Sequence, residues 1–321
     1  MKIVIAGGSG HLGGILAQRF MTDGHDVVVL SRYAAPRPWR LVVWDGETLG
    51  AWAYELDGCD IAINLAGRSV NCRYTPENQR QIMDSRLNST KAIGQAIAHA
   101  KRPPRIWLQM STATIYSHRY DAPNDEASGI IGGDEPDTPA KWRFSITVAT
   151  AWEHAAIAAR TPRTRQVILR TAMVMSAEPG GVFEVLLRLV RFRLGGRAGD
   201  GRQFVSWIHE DDFFNAIRWL IQNEAFEGIV NLCAPNPLPN HAFMADLRQA
   251  SGVRLGLPAA RLMLPIGAWM MRTETELILK SRRVVPGRLL QEGFDFRFPH
   301  WLAAAQDLCG RRRQKQSEPE R

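Results

Sequence analysis

Short apolar segments alternate with longer segments of helical periodicity over the first half of the chain. After their first, charged residue, segments such as KIVIA (2–6) and DVVVL (26–30) are hydrophobic without interruption, instead of alternating with polar residues. Such segments are typical of strands in a parallel sheet that is covered on both faces. The pattern predicts strands at 2–6, 26–30, 41–44, 60–65, 105–110 and 166–171, and helices at 11–21, 76–100 and 147–160.

This alternation predicts an α/β fold with a doubly wound parallel Rossmann sheet. We expect a Rossmann domain over 1–172, with its sheet completed by 204–234. The pattern loosens after Thr171, and the segments 173–203 and 235–310 predict a smaller, mainly helical part on the substrate side. The last stretch, 311–321, is polar and aperiodic, which predicts a disordered tail.

A glycine-rich loop joins the first predicted strand to the first predicted helix. Its glycines fit two spacings, Gly8-x-Gly10-x-x-Gly13 and Gly7-x-x-Gly10-x-x-Gly13. Glycines allow a close approach of the backbone to a pyrophosphate, and the helix N-terminus offers free N–H groups and a partial positive charge. A strand, glycine loop and amphipathic helix in this order therefore predict dinucleotide binding.

The end of the second strand indicates which dinucleotide is preferred. Proteins that bind NAD usually carry Asp or Glu there, to accept a hydrogen bond from the ribose 2′-hydroxyl. This chain has Ser31 and Arg32 instead. A guanidinium binds a 2′-phosphate that a carboxylate would repel. The residues therefore favour NADP over NAD, although Arg32 could also be a solvated residue at the strand end.

Composition and charge exclude several other classes. Of 321 residues, 45% are hydrophobic and 22% charged, and no apolar run reaches the length of a membrane span. The first residues run directly into a strand without signal-peptide features, so we expect a cytoplasmic protein. The net charge of +8 comes from dispersed arginines, which argues against a nucleic-acid platform. No metal-ligand spacing is present, and reduced thiols are expected at Cys59, Cys72, Cys233 and Cys309.

Several motifs together resemble one family. They are GGSGHLGG (7–14), LSR (30–32), NLAG (64–67), RQIMDSRLNSTKAI (80–93), GGRAGDGRQFVSWIHEDD (195–212), NLCAPNPLPN (231–240) and RVVPGRLLQEGFDFRFP (283–299). The chain thereby resembles an extended or atypical short-chain dehydrogenase/reductase, in the NAD(P)-dependent epimerase-like group that ends in a small C-terminal domain of unknown function. The resemblance favours the Gly7-x-x-Gly10-x-x-Gly13 spacing, with Gly8 as an addition. It implies cofactor contacts from Gly7, Ser9, Gly10, His11, Leu12, Gly13, Leu65, Ala66, Gly67, Arg86 and Ser111.

The catalytic signature of that family is incomplete. Its members use a Ser or Thr hydroxyl together with a Tyr and a Lys four residues later, which pass a proton as hydride moves. In STATIYS (111–117), Thr112 takes the hydroxyl position. No Tyr in the chain is followed by Lys at that spacing, and the helix FSITVATAWEHAA places Ser145 and Ala149, or Val148 and Trp152, where the pair would stand.

Another acid could replace the missing pair. The candidates are Tyr116, His118, Tyr120 and Lys141, of which Tyr116 joins Thr112 as a predicted catalytic residue. The leading hypothesis is an NADP-dependent oxidoreductase or epimerase for a small polar or acidic substrate, including nucleotide-sugar-like compounds. The alternative is a non-enzymatic NADP-binding regulator that reports redox state and is related to cell-division factors. The sequence does not distinguish a monomer from a dimer.

Overall fold

The core of the chain is one parallel sheet, seen here in a computed structural model that describes residues 1–136, 138–259 and 276–317. Its strands are β1 (Lys2–Ala6), β2 (Asp26–Ser31), β3 (Arg40–Val43), β4 (Ile61–Asn64), β5 (Ile106–Thr112), β6 (Arg165–Thr171) and β10 (Gly228–Leu232). They lie in the order β10-β6-β5-β4-β1-β2-β3, and each neighbouring pair is parallel. The predicted α/β Rossmann fold is confirmed.

Helices cover both faces of this sheet. They are α1 (His11–Thr22), α2 (Pro76–His99), α3 (Ala140–Ile157) and α5 (Glu210–Gln222). Ile5 of β1 lies in one hydrophobic core with Leu16 of α1, whereas Val4 lies in a second core with Ile93 of α2. Because successive residues of a strand point to opposite faces, each of the buried positions 3–6 of β1 must be apolar. This explains the uniformly hydrophobic strand segments.

The middle of the sheet creates a crevice. Ile5 of β1 is paired with Val29 of β2 on one side and with Ile63 of β4 on the other. The chain runs outward from β1 through β2 to β3 and then returns to β4 across β1. The carboxyl ends of β1 and β4 therefore lie at the topological switch point, where open α/β sheets bind their ligands.

The second half of the chain adds a smaller, mainly helical part. Its helices are α4 (Val182–Arg191), α6 (Asn240–Ser251), α7 (Glu276–Leu279), α8 (Gly287–Gln291) and α9 (Trp301–Ser317). Two short sheets accompany them, β7 (Met173–Met175) with β9 (Trp207–His209), and β8 (Phe204–Val205) with β11 (Leu238–Pro239). Trp301 stacks on Phe243 with ring centroids 4.1 Å apart, in a third hydrophobic core. No helix in the described ranges is long and apolar enough to cross a membrane.

The predicted disordered tail at 311–321 is wrong as far as the structure describes it. Helix α9 continues to Ser317, and residues 318–321 lie outside the described residues. Arg311 donates hydrogen bonds to Asp211, and Arg312 donates one to Glu184. These basic side chains order the helix by pairing with acids that are distant in the sequence. The polar composition alone could not indicate this pairing.

Candidate functional site

The glycine loop between β1 and α1 leaves no room for side chains at two positions. Gly7 has φ +76, and a Cβ there would lie 2.8 Å from backbone atoms of Ala66. A Cβ on Gly13 would lie 2.3 Å from the Cα of Gly8. Both contacts are shorter than van der Waals packing allows, so the loop requires glycine at these positions. Gly8 is also constrained, because a Cβ there would lie 2.8 Å from the Val29 side chain of β2.

The N-terminus of α1 points into the crevice without a side-chain cap. Gly10 is the N-cap residue, no side chain accepts from the first turn, and that turn contains no acidic residue. The first N–H groups of a helix have no partner within the helix, and here they sit at its positive end. This arrangement can bind an anion through the backbone.

Two cavities meet at this loop, and Ser9 and Gly10 line both. The α1 cavity, of about 820 Å³, runs from the glycine loop along α1 to α9. His11 also lines it, and its Nδ1 lies 3.2 Å from the carbonyl oxygen of Pro179. The side chain of Leu12 packs against the hydrophobic core instead. Of the predicted cofactor residues in α1, Leu12 can therefore contribute its backbone only.

The β2 cavity, of about 470 Å³, lies beyond the carboxyl ends of β2 and β4. Arg32 lines it and is exposed, with no ion pair among the described residues. Ser31 is buried, and its hydroxyl donates to the carbonyl of Tyr33 at 3.0 Å. Ser31 therefore shapes the turn, whereas Arg32 presents its charge to the cavity. Arg68 lines the same cavity, although no motif in the sequence predicts it there.

Three acidic residues also line the β2 cavity: local bonds occupy two of them, Asp45 and Glu47, and the third, Asp84 of α2, is exposed to solvent. Asp45 accepts hydrogen bonds from the N–H groups of Glu47 and Thr48. Together with the Thr48 hydroxyl, these donors lower the pKa of Asp45. Glu47 accepts from the side-chain amide of Asn88 at 3.0 Å. The end of β2 itself carries no carboxylate, so the cavity can accommodate an anionic group beside Arg32.

The opposite wall of the β2 cavity is the turn after β4. Leu65, Ala66 and Gly67, for which the resemblance implies cofactor contacts, all line the cavity. The side chain of Asn64 accepts a hydrogen bond from the N–H of Ala66 at 3.0 Å, which fixes the turn. A Cβ on Gly67 would lie 3.2 Å from Arg86 Cζ, so glycine allows Arg86 to come close to this turn.

Arg86 is a largely buried cation between the β2 cavity and a third cavity. Its NH1 donates to the carbonyl oxygens of Arg68 and Ile82, each at 3.0 Å, and its Cζ lies 5.0 Å from the Trp152 ring. Burial lowers its pKa to about 10. Within the described part of the chain, no carboxylate forms an ion pair with Arg86. A guanidinium held by carbonyls alone can bind an anionic or strongly polar ligand.

The third cavity, the α3 cavity, is small, at about 110 Å³. It is lined by Thr112, Thr114, Ser145, Val148, Ala149, Trp152, Arg86, Tyr74, Phe144, Ile82 and Val70. Both alternative pairs of positions for the missing Tyr and Lys are among these residues. Thr112 Oγ1 accepts from the N–H of Thr114 at 3.2 Å, which holds its hydroxyl at the cavity wall. Tyr74 was not predicted, since it lies in an irregular segment far from the family's catalytic positions.

The structure places two other predicted site residues in a buried network away from this cavity. Ser111 donates to Glu153 at 2.6 Å. Arg170 binds the same carboxylate and also donates to the hydroxyl of Tyr116, which in turn donates to Asn231. Burial is the main cause that raises the pKa of Tyr116. Since Ser111 donates to Glu153 and Tyr116 donates to Asn231, neither hydroxyl is available in this arrangement for the predicted cofactor or catalytic contact.

The other acid candidates also lie away from the α3 cavity. None of His118, Tyr120 and Lys141 is among its lining residues in the described ranges. The Nδ1 of His118 accepts from the N–H of Ser281 at 2.7 Å, and its ring packs edge-on against Tyr120. These contacts anchor the C-terminal segment on the loop after β5.

A C-terminal segment, residues 276–282, brings charged groups to the α3 cavity. Ser145 donates to Glu276 Oε2 at 2.5 Å. The ammonium of Lys280 donates to the carbonyl of Thr114 at 2.7 Å, and burial lowers its pKa to about 8. Arg282 donates from Nε to the Thr114 hydroxyl at 3.1 Å. No local sequence pattern indicates these contacts, because the residues that they join are 131 to 168 positions apart in the chain.

Comparison with known proteins shows what this arrangement resembles. Residues 3–233 match the model of the NAD dependent epimerase/dehydratase family, and residues 259–308 match a domain of unknown function, DUF1731. The bovine epimerase family protein SDR39U1 is 33% identical over 316 residues, which cover 96% of this chain and 99% of that protein. The Bacillus subtilis epimerase family protein YfhF is 28% identical over 98% of this chain and 99% of its own length.

Solved structures agree with these sequence matches. The crystal structure of human SDR39U1 (isoform 2) with NADPH superposes with a TM-score of 0.83 at 30% identity, covering 97% of this chain and 99% of that chain. A nucleoside-diphosphate sugar epimerase from Corynebacterium glutamicum superposes with a TM-score of 0.74 at 26% identity. That match covers all of this chain and 62% of the C. glutamicum protein.

Proposed function

This chain belongs to the NAD dependent epimerase/dehydratase family, and on that premise we propose that it is an NADP-dependent oxidoreductase or epimerase for a small polar or acidic substrate. NADPH is the dinucleotide in the crystal structure of the human relative SDR39U1. The C. glutamicum relative is described as a nucleoside-diphosphate sugar epimerase, so nucleotide sugars are one substrate class to test.

The single observation that carries the choice of NADP is Arg32. It lines the β2 cavity at the end of β2, where NAD-binding proteins usually have an acid. No carboxylate within the described residues forms an ion pair with it. Its guanidinium would hold the 2′-phosphate of NADP, and Arg68 on the same cavity would add a second positive charge. The fit of Arg32 and Arg68 to the 2′-phosphate adds to the fit of the glycine loop to the pyrophosphate.

The residues that would hold the rest of the dinucleotide fit in the same way. Gly7 and Gly13 leave no side chain between the backbone and a pyrophosphate, and the uncapped N-terminus of α1 supplies its N–H groups. The turn 65–67 would line the adenosine side. When bound, the dinucleotide supplies or accepts hydride. Thr112 would then hold the reacting oxygen of the substrate through its hydroxyl, since that side chain lines the α3 cavity.

The lining of the α3 cavity favours an enzyme over the regulator alternative. A regulator without chemistry would need only an apolar end to the site. Here Thr112, Thr114, Ser145 and Tyr74 bring hydroxyl groups to a cavity of about 110 Å³, and Arg86 adds a buried charge. A few hydroxyl groups and one cation that converge on a small space with an otherwise mostly apolar lining are typical of a reaction site.

Titration of the purified protein with NADPH and NADH, followed by nicotinamide fluorescence, tests this proposal. We expect the wild type to prefer NADPH, and Arg32→Ala to lose that preference by roughly 10-fold or more, since a charge-assisted bond to phosphate contributes about 1.5–3 kcal/mol. Arg160→Ala is the matched control. Arg160 is exposed just after α3, at the opposite end of the sheet from the crevice, and its loss should change nothing.

Three outcomes are distinct. Equal affinity for both dinucleotides, unchanged in Arg32→Ala, contradicts the choice of NADP. No binding of either dinucleotide contradicts the enzyme proposal altogether. Tight NADPH binding without turnover of any carbonyl or nucleotide-sugar substrate supports the regulator.

A further inference from the structure

A short hydrogen-bonded chain connects the C-terminal segment to the α3 cavity. Ser145 Oγ lies 2.5 Å from Glu276 Oε2 and 3.4 Å from the Tyr74 hydroxyl. Because Ser145 has one hydroxyl proton and an ionised carboxylate only accepts, Ser145 donates to Glu276 and offers its lone pairs to the Tyr74 phenol. Tyr74 and Ser145 both line the α3 cavity with Thr112.

We propose that Tyr74 is the proton donor and acceptor of the reaction, with Ser145 as its positioning residue, in place of the family's missing Tyr–Lys pair. The inference rests on the proposed oxidoreductase function. Ser145 stands in α3 at one of the two positions expected for the family's Tyr. The phenol is thus supplied to the same cavity from a different segment, the loop before α2.

The fold holds the Tyr74 ring in a defined place. Its ring centroid lies 5.2 Å from that of Phe144 in an edge-to-face contact, and Phe144 precedes Ser145 on α3. Two successive residues of one helix therefore contact Tyr74, one through its ring and one through its hydroxyl. The cavity volume of about 110 Å³ places the Tyr74 and Thr112 side chains around one small space.

The charges around Tyr74 can take the place of the family's lysine. Burial raises the pKa of Tyr74 to about 12 in the protein alone, and Glu276 also raises it. Arg282 of the C-terminal segment and Arg86 of α2 act in the opposite direction, because each cation stabilises a phenolate. An oxidised nicotinamide ring in this cavity would add a further positive charge and lower the pKa again.

The proposed step is balanced for the reduction of a carbonyl compound. The carbonyl carbon accepts hydride from the reduced dinucleotide, which becomes oxidised, and the C=O π bond opens. The carbonyl oxygen accepts the phenol proton of Tyr74, so the products are an alcohol and a phenolate. The phenolate then regains a proton from water. In the reverse direction, the phenolate removes the alcohol proton as hydride returns to the dinucleotide.

Cofactor affinity as a function of pH tests the inference without requiring a substrate. The Kd values of NADP+ and NADPH are measured from pH 7 to 10.5 for the wild type, Tyr74→Phe and Tyr33→Phe. NADP+ and NADPH share their phosphates, so effects at the phosphate end cancel in the ratio of the two affinities. The pH dependence of this ratio therefore reports on titrating groups that respond to the charge of the nicotinamide ring.

If Tyr74 lies beside that ring, NADP+ favours its phenolate. The preference of the wild type for NADP+ over NADPH should then rise with pH, by up to about tenfold per unit above the lowered pKa. Tyr74→Phe keeps the ring contact with Phe144 and should remove the phenol's share of the slope, leaving only the smaller rise that the loss of charge on Lys280 and Arg86 produces. Tyr33→Phe, which removes an exposed tyrosine beside Arg32 at the other end of the site, should retain the wild-type slope.

The outcomes separate the inference from the proposed function. A flat ratio in the wild type, or a slope in Tyr74→Phe equal to that of the wild type, overturns the role of Tyr74 while NADP binding stands. Absence of NADP(H) binding in the wild type overturns the proposed function instead.

The role of Ser145 has its own test. Ser145→Ala should shift the pH at which the ratio begins to rise, and Ser145→Thr, which restores the hydroxyl, should return it toward the wild type. An unchanged profile in Ser145→Ala contradicts a positioning role for Ser145.

Discussion

Arg170 of β6 binds the carboxylate of Glu153 of α3 through two hydrogen bonds, of 2.8 and 2.7 Å, and both side chains are buried. Ser111 donates to the same carboxylate, and Arg170 also donates to the Tyr116 hydroxyl. This network connects α3 to β5 and β6, and α3 is also the helix that carries Ser145 at the α3 cavity. It therefore fixes the position of Ser145 on α3.

We expect Glu153→Leu to lower the free energy of unfolding by about 3–5 kcal/mol, because it leaves the Arg170 charge buried without a partner. Urea unfolding followed by circular dichroism measures the change. The double variant Glu153→Leu with Arg170→Met should lose less than the single variant, since replacing a buried ion pair by apolar residues is often close to neutral. A single variant within 0.5 kcal/mol of the wild type, on the order of a surface substitution, would contradict this account.

Adjacent glycines of α1 should respond in opposite ways to alanine. A Cβ on Gly13 would lie 2.3 Å from Gly8 Cα and 2.7 Å from the carbonyl oxygen of Gly7, so Gly13→Ala must displace the glycine loop. We expect it to destabilise the protein and weaken NADPH binding at least 10-fold, roughly the effect of losing one charge-assisted hydrogen bond. Gly14 is the matched control, since no atom beyond its chain neighbours and the adjacent backbone of its own helix lies within 4 Å of its Cβ position.

Gly14→Ala should raise the free energy of unfolding by about 0.5–1 kcal/mol, because alanine has the higher helix propensity. Thermal unfolding and NADPH titration of the two variants, measured side by side, decide the point. Equal effects of the two substitutions would show that the close approach of α1 to the loop is not what requires Gly13.

The parts of the fold that depend on local pattern were predictable, and those that depend on distant pairing were not. The strand KIVIA and the loop Gly7–Gly13 predicted the sheet and its ligand edge, because uniform hydrophobicity and glycine spacing are local properties. Tyr116 was predicted from a motif position, but its hydroxyl meets Arg170 and Asn231, which lie 54 and 115 residues away in the chain.

The same reason explains what the sequence missed at the α3 cavity. Tyr74 precedes α2 in a segment without regular periodicity, and Glu276 lies in the C-terminal part. Only the folded chain brings both to Ser145. The polar sequence after Gly310 predicts a tail, because nothing local indicates that Arg311 meets Asp211, 100 residues earlier.

The buried His209 should make stability fall as the solution becomes acidic. Burial lowers the pKa of His209 to about 4, and this outweighs the raising effect of Asp211 and Asp307. The neutral ring accepts from the N–H of Asp211 through Nδ1 and caps α5. A histidine whose folded pKa lies below its unfolded value of about 6.5 contributes stability above that pH, and the contribution is lost as pH falls toward 4.

The loss should reach about 1.4 kcal/mol per pH unit within this window, from His209 alone. His209→Asn keeps an N-cap acceptor and removes the titration. Urea unfolding of wild type and variant is measured from pH 7.5 to 4.5. The free energy of unfolding should fall more steeply with decreasing pH in the wild type than in the variant. If the variant is less stable at pH 7.5, the two curves of stability against pH should therefore converge as pH falls. His300→Asn, which alters an exposed histidine, should run parallel to the wild type throughout. Parallel curves for His209→Asn as well would mean that His209 does not carry this dependence.

Thr112 should be needed for turnover but not for binding of the dinucleotide. Its oxygen accepts from the N–H of Thr114 at 3.2 Å, and the described residues provide no hydrogen-bond acceptor for its own proton. The hydroxyl can therefore donate into the α3 cavity, toward the oxygen of a substrate. Thr112→Val keeps the shape of the side chain and removes that donor. We expect kcat/KM for NADPH-dependent reduction of 9,10-phenanthrenequinone, used as a probe carbonyl, to fall roughly 100-fold, as when one oxyanion donor is lost.

The matched variant Thr112→Ser restores both the donor and the acceptor for the Thr114 N–H, so it should keep most of the activity. NADPH affinity, measured by fluorescence, should be the same in all three proteins, because Thr112 does not line the β2 cavity. If Thr112→Val reduces the quinone as fast as the wild type, the hydroxyl plays no part in catalysis. If it loses NADPH binding as well, Thr112 acts by holding the loop after β5, through its bond to Thr114, and the reacting oxygen must be held by another of the hydroxyls around the α3 cavity.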